Sequence, residues 1–206
     1  MSEIQDTYKT ISNPVTEILF KEKNSKFIGF AFPVETEEQI KEKLEEVKKL
    51  HYSARHWCYA YQIGIEKMKT RANDDGEPNN SAGMPIFGQI QSFGLTNVLV
   101  IVVRYFGGVK LGVGGLVSAY KTTAQLTLHE AQIEEKFRMI DFVIQFGYQN
   151  MNKVMRLIKE KNLTIRHQEM NETCQIYISV RKKHAQNTIE LFENLHEITL
   201  KKIDNK

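Results

Sequence analysis

Five glycines crowd into one stretch, VVRYFGGVKLGVGGLVSAY from Val102 to Tyr120: Gly107, Gly108, Gly112, Gly114 and Gly115. A glycine cluster between an apolar run and a helical segment is where successive backbone N–H groups can surround an anion. Arg104 and Lys110 flank it with positive charge. The spacing excludes two named nucleotide sites. Gly107 and Gly112 have the separation of a Walker loop, but Val113 and Gly114 stand where Lys and Ser or Thr are required. A dinucleotide fingerprint starting at Gly112 needs a glycine where Val117 stands. Two readings stay open: a backbone contact to phosphate, or glycines that permit positive φ and close strand-to-helix packing.

Three carboxylates in NDDGEP, Asp74, Asp75 and Glu77, could hold Mg²⁺ or transfer protons. Asp-Gly and Glu-Pro are equally turn chemistry, and the spacing is not that of an EF-hand loop. In SARHWCYAY the two-residue repeat of a strand puts Arg55, Trp57, Tyr59 and Tyr61 on one face and His56, Cys58 and Ala60 on the other. His56 beside Cys58 invites a nucleophile reading, but no orienting partner can be named, and a buried cysteine is ordinarily a small hydrophobe. The aromatic face could stack RNA bases or pack in a core. The basic run RKKH, Arg181 to His184, with Arg166, Lys201 and Lys202 nearby, could contact phosphate or be a solvated face.

Elements that would position these residues follow from periodicity. VTEILFKEKNSKFIGFAFPV is a hairpin turning at Lys23-Asn24-Ser25. TEEQIKEKLEEVKKL is an amphipathic helix with Thr36 as N-cap and Ile40, Leu44, Val47 and Leu50 on one face. A third strand covers ARHWCYAYQIG. The segment TRANDDGEPNNSAGMP is a loop, after which Ser81 caps a helix from about Met84 to Phe93. TNVLVIVVRYF is a strand buried on both faces, and a helix from Leu116 closes the domain. From Met139 the order is strand, helix, two strands, helix, strand, the ferredoxin-like βαββαβ arrangement, with Met151, Val154, Met155 and Ile158 sharing a helix face.

The chain has 206 residues, 41% of them hydrophobic, with 28 basic and 25 acidic residues. That is enough to bury a core and too balanced for a global electrostatic case for nucleic acid. The small positive excess lies in the C-terminal third. Two distant cysteines, Cys58 and Cys174, fit free thiols in a reducing compartment. The start, MSEIQDTYKT, lacks the apolar core of a secretory leader, and Val98–Val103 is too short to span a bilayer. A cytoplasmic protein without membrane partners is expected.

ARHWCYAY, DDGEP…SAGMPI and VVRYFGGVKLGVGGLVSAY, in this order, resemble bacterial members of the IMPACT/YigZ family over nearly the whole chain. The motif positions matched are His56, Cys58, Asp74 to Pro78, Ala82, Gly83, Pro85, Arg104, Tyr105, the five loop glycines, Leu111 and Tyr120. Asn79, Asn80, Ser81 and Met84 depart from the family pattern. The resemblance implies an α+β, two-domain protein. Residues 1–135 would share the fold of the second domain of a small-subunit ribosomal protein, and residues 139–206 would be ferredoxin-like, as in the last domain of elongation factor G. It implies no cofactor. It points to a regulatory protein that contacts RNA or the ribosome, at Arg104, Lys110 and the loop glycines, and modulates translation. An enzyme using Asp74, Asp75 and Glu77 with Mg²⁺ on a phosphorylated substrate is the alternative, and an adaptor for a protein partner is a third. The kinase-activator partner of eukaryotic relatives goes with a different additional domain and is not transferred. Oligomeric state is left open.

Overall fold

A computed structural model describes residues 6–203. It is an α+β fold of two compact units, residues 8–136 and residues from 137 onward with Asp6 and Thr7.

In the first unit β1 (Thr7–Ile11) precedes the hairpin of β2 (Val15–Glu22) and β3 (Ser25–Pro33). Its two-residue turn, Lys23-Asn24, has positive φ at both positions, the primed geometry that matches strand twist. α1 (Glu37–Leu50) starts at Thr36, whose Oγ1 accepts the Gln39 amide at 3.3 Å, while Gln39 Oε1 accepts the Glu35 amide at 2.7 Å. Then come β4 (His56–Ile63), β5 (Lys69–Asn73), α2 (Gly83–Ser92), β6 (Val98–Tyr105), α3 (Gly112–His129) and β7 (Ile133–Phe137). β5 lies within the stretch expected to be loop. It is a short polar edge strand without apolar alternation, so periodicity does not reveal it.

The main sheet is antiparallel in the order β2-β3-β6-β4-β5, and β1 pairs with β7. Central β6 is buried on both faces, as its continuous apolar run requires. One face packs on α1 through Phe30, Leu99 and Ile101 against Ile40, Leu44 and Val47. The other packs on α2 and α3 through Phe27, Val100 and Val102 against Ile86, Ile90, Leu116 and Tyr120. Strand β4 divides as its alternation demands. Trp57, Tyr59 and Tyr61 join the α1 side, while Cys58 and Ala60 join the other. These three aromatics are therefore packing residues, with Tyr61 fully buried and the other two half-buried.

The second unit continues with β8 (Met139–Phe146), α4 (Met151–Glu160), β9 (Thr164–Met170), β10 (Cys174–Arg181), α5 (Lys182–Glu193) and β11 (Ile198–Lys202). Its sheet order β11-β8-β10-β9 is that of two interleaved βαβ units, the ferredoxin-like topology. Phe142, Ile144, Ile176 and Ile178 meet Val154, Ile158 and Phe192 in its core. Met155, expected on the buried face of α4, is 38% exposed, because the stripe runs through Met151, Val154 and Ile158.

Candidate functional site

Asp74, Asp75 and Glu77 do not converge as a ligand set. Each carboxylate is committed to a different structural task. Asp74 Oδ1 accepts the amides of Ala82 (3.0 Å) and Gly83 (2.8 Å), and its Oδ2 accepts that of Asn80 (2.9 Å). Asp74 thus caps the start of α2 from the far side of the loop, since the N-cap residue Ala82 has no side chain that could. Ser81, the expected cap, instead donates its hydroxyl to the Pro78 carbonyl at 2.6 Å. Asp75 Oδ2 accepts the Trp57 amide at 2.7 Å, and the Asp75 carbonyl receives His56 Nδ1 at 2.8 Å, so Nδ1 carries a proton. Asp75 sits at positive φ, steadied by its amide donating to Asn73 Oδ1 at 2.9 Å.

Glu77 is buried and receives two donors on Oε1, Arg104 Nη1 at 2.7 Å and the Tyr120 hydroxyl at 2.8 Å. A buried carboxylate needs such partners to offset its desolvation. The guanidinium lies 5.5 Å from the Phe27 ring and 5.6 Å from the Phe106 ring. Cys58 completes the cluster. Its thiol donates to the Asp74 carbonyl at 3.0 Å and lies 3.3 Å from the Tyr120 hydroxyl. Burial pushes the Cys58 thiol far up, reinforced by the nearby carboxylates, and burial likewise raises Tyr120. Neither is a nucleophile or base near neutral pH.

This geometry corrects two expectations. Arg104 does not flank the glycine loop as a free cation, because its side chain is 7% exposed and its charge is opposed by Glu77. The Mg²⁺ alternative does not fit, because its three carboxylates are held by amides, a guanidinium and a hydroxyl. Among the described residues no group of three His, Cys, Asp or Glu side chains could hold a metal ion.

The glycines divide by role. A Cβ on Gly107 would overlap the backbone of Asn24, and the Gly107 amide donates to Ser25 Oγ at 3.2 Å, so this glycine seats the loop on the β2–β3 turn. Gly108 and Gly112 have φ of +87° and +73°. Gly112, Gly114 and Gly115 are the first turn of α3, which begins four residues before the expected start at Leu116. Around Gly114 a Cβ would meet nothing within 4 Å, so packing does not explain it. The helix has no side-chain cap and no acidic residue in its first turn. Gly112, Val113 and Gly114 are exposed, as are Lys110 and Gly108. The result is an open helix N-terminus with a positive dipole end and a lysine beside it.

Tyr105 leaves β6 on the α1 side and its hydroxyl bonds His51 Nδ1 at 3.0 Å. His51, Asn24, Lys26 and Phe106 were invisible as site residues in the sequence, since no motif links them. They line one open cleft with Ile28 and Tyr105. In the second unit Arg181 pairs with Asp6 at 3.0 Å and stacks over Phe137, while Arg166, Lys201 and Lys202 remain exposed.

Residues 23–128 match the family model described as the Impact N-terminal domain. The chain is 32% identical over 163 residues to the IMPACT family member YvyE of Bacillus subtilis, covering 78% of this chain and 75% of that one. It is 31% identical to an IMPACT family member of Haemophilus influenzae, covering 88% of each. A crystal structure described as that of a hypothetical protein superimposes with a TM-score of 0.75 at 24% identity, covering 98% of this chain and 100% of that one. With the family model matched over residues 23–128 and relatives at 31–32% identity over most of the chain, the chain belongs to the IMPACT family.

Proposed function

We propose that this chain is a non-enzymatic binding protein that contacts RNA or a ribosomal surface through the α3 glycine turn and thereby modulates translation. The observation that carries this reading is the uncapped first turn of α3, exposed at Gly112, Val113 and Gly114 beside Lys110. Free backbone N–H groups, a positive dipole end and an adjacent cation suit a phosphate. Gly114 also forgoes up to about 1 kcal/mol of helix propensity relative to alanine, with no packing need for it. The resemblance to domains that work against the ribosome supports the same direction. The partners that hold Asp74, Asp75 and Glu77 speak against the alternative of a Mg²⁺ enzyme built on them.

Fluorescence anisotropy with a labelled short oligoribonucleotide, and co-sedimentation with purified ribosomal subunits, test the proposal. Binding should weaken steeply as salt rises. Absent binding, or binding indifferent to salt, would overturn it, and the latter would favour a protein adaptor.

A further inference from the structure

On its α1 face the sheet carries a cleft of about 400 Å³ lined by Asn24, Lys26, Ile28, His51, Tyr105 and Phe106. That is near the lower end of small-ligand sites, roughly 300–1,000 Å³. We infer that this cleft is a base-stacking subsite for one unpaired nucleotide of the RNA strand whose phosphates rest on the α3 turn.

The cleft exists because α1 ends at Leu50 while the sheet runs on past it. Phe30, Leu99 and Ile101 are sealed under the helix, but Ile28 and Tyr105 are only half-buried. His51, the residue that caps α1, forms one wall and is fixed there by its bond to the Tyr105 hydroxyl and its edge contact with Phe30. Phe106 forms another wall and is 51% exposed, although it follows a strand buried from Val98 to Arg104. A half-exposed aromatic beside a rigid aromatic wall offers a π-face that any base can stack on.

Charge at the cleft has the sign a nucleotide needs. Lys26 lines it, and Lys21 lies directly opposite Lys26 across the β2–β3 pair, on the same face. Neither forms an ion pair with a described residue, and like charges opposed across a ladder are unfavourable in the isolated protein. A phosphodiester strand would relieve that repulsion. The Asn24 amide can meet a Watson–Crick edge with either donor or acceptor. Phe106 precedes Gly107, which packs on Asn24 and Ser25, so the cleft adjoins the start of the loop that runs on to Gly112. A strand with a base in the cleft would run its backbone along that loop toward α3.

The inference rests on the RNA reading above, and its test separates the two. The full chain is titrated with a short oligouridylate and with an abasic ribose-phosphate strand of equal length at one salt concentration. The expected result is about ten-fold tighter binding of the oligouridylate, the contribution of one stacked base. Phe106→Ala should bring that ratio to about one, and Phe106→Trp should restore it. Equal, salt-dependent binding of both strands to the wild type, or a ratio that Phe106→Ala does not move, overturns the base subsite and leaves the backbone reading standing. No binding of either strand overturns both.

Discussion

Arg104 and Lys110 are two cations six positions apart on one motif, and they have opposite fates. Arg104 points from β6 into the interior, where Glu77, Tyr120, Phe27 and Phe106 surround it. Lys110 stands in solvent beside an uncapped helix turn. The polar residues of the motif blocks thus separate into a hydrogen-bonded interior that holds the loops, in which Arg104 Nε and Trp57 Nε1 alone of the motif side chains lack a partner among the described residues, and a bare surface that has free donors. The conspicuous chemistry, paired carboxylates with His and Cys, belongs to the interior. The surface available for recognition is the inconspicuous one, made of glycine backbone and a single lysine.

The contrast is broken most severely at Glu77. Glu77→Ala leaves Arg104 buried without its counter-charge and should cost about 3–5 kcal/mol of stability, measured by denaturant unfolding of the full chain. The double variant Arg104→Met/Glu77→Leu should recover much of that loss. A cost below about 1 kcal/mol for the single variant would mean that the pair does not form. Asp74→Ala removes the carboxylate that accepts the amides of Asn80, Ala82 and Gly83 at and before the start of α2, and should cost about 1–2 kcal/mol, visible in the same unfolding curves.

Two glycine substitutions sharpen the comparison from the surface side. Gly107→Ala drives a methyl into the Asn24 backbone and should destabilise by about 1–3 kcal/mol. Gly114→Ala has open space and should leave stability unchanged or raise it by up to about 1 kcal/mol. The same Gly114→Ala should weaken RNA binding in anisotropy titrations, because the methyl stands off the phosphate. Equal stability losses for the two variants would erase the distinction between packing glycine and surface glycine.

The smallest effect concerns the cysteines. Both thiols are free and buried, Cys58 in the first unit and Cys174 in the second. Burial holds Cys58 in the neutral thiol form, so alkylation at mildly alkaline pH should be slow in the folded chain and rapid after unfolding. Peptide mass spectrometry of partly denatured protein would then report opening of each unit separately. Fast native labelling of Cys58 would contradict its place in the buried cluster.

Much of this was legible in sequence wherever the physics is local. Period two sorted Trp57, Tyr59 and Tyr61 from Cys58 and Ala60, and Thr36 with Gln39 marked the start of α1. The continuous apolar run of β6 and the βαββαβ order of the second unit were equally plain. What stayed hidden depends on residues brought together by the fold. Glu77 lies 27 positions from Arg104, and no periodicity links an arginine at a strand end to a turn glutamate. Asp74 caps α2 from nine residues before Gly83, whereas a local rule points to Ser81. The cleft is assembled from a β-turn, a helix cap and a strand end, none of which carries a motif.

The most direct test of the division between interior and surface is the salt dependence of RNA affinity in the wild type and in Lys110→Ala. Lys110 is exposed and makes no hydrogen bond or ion pair with a described residue, so the variant should unfold at the same denaturant concentration as the wild type. Its log Kd against log salt should be shallower by about 1, the contribution of one lysine–phosphate contact. Parallel lines of equal slope would place the phosphate contact elsewhere and contradict the account.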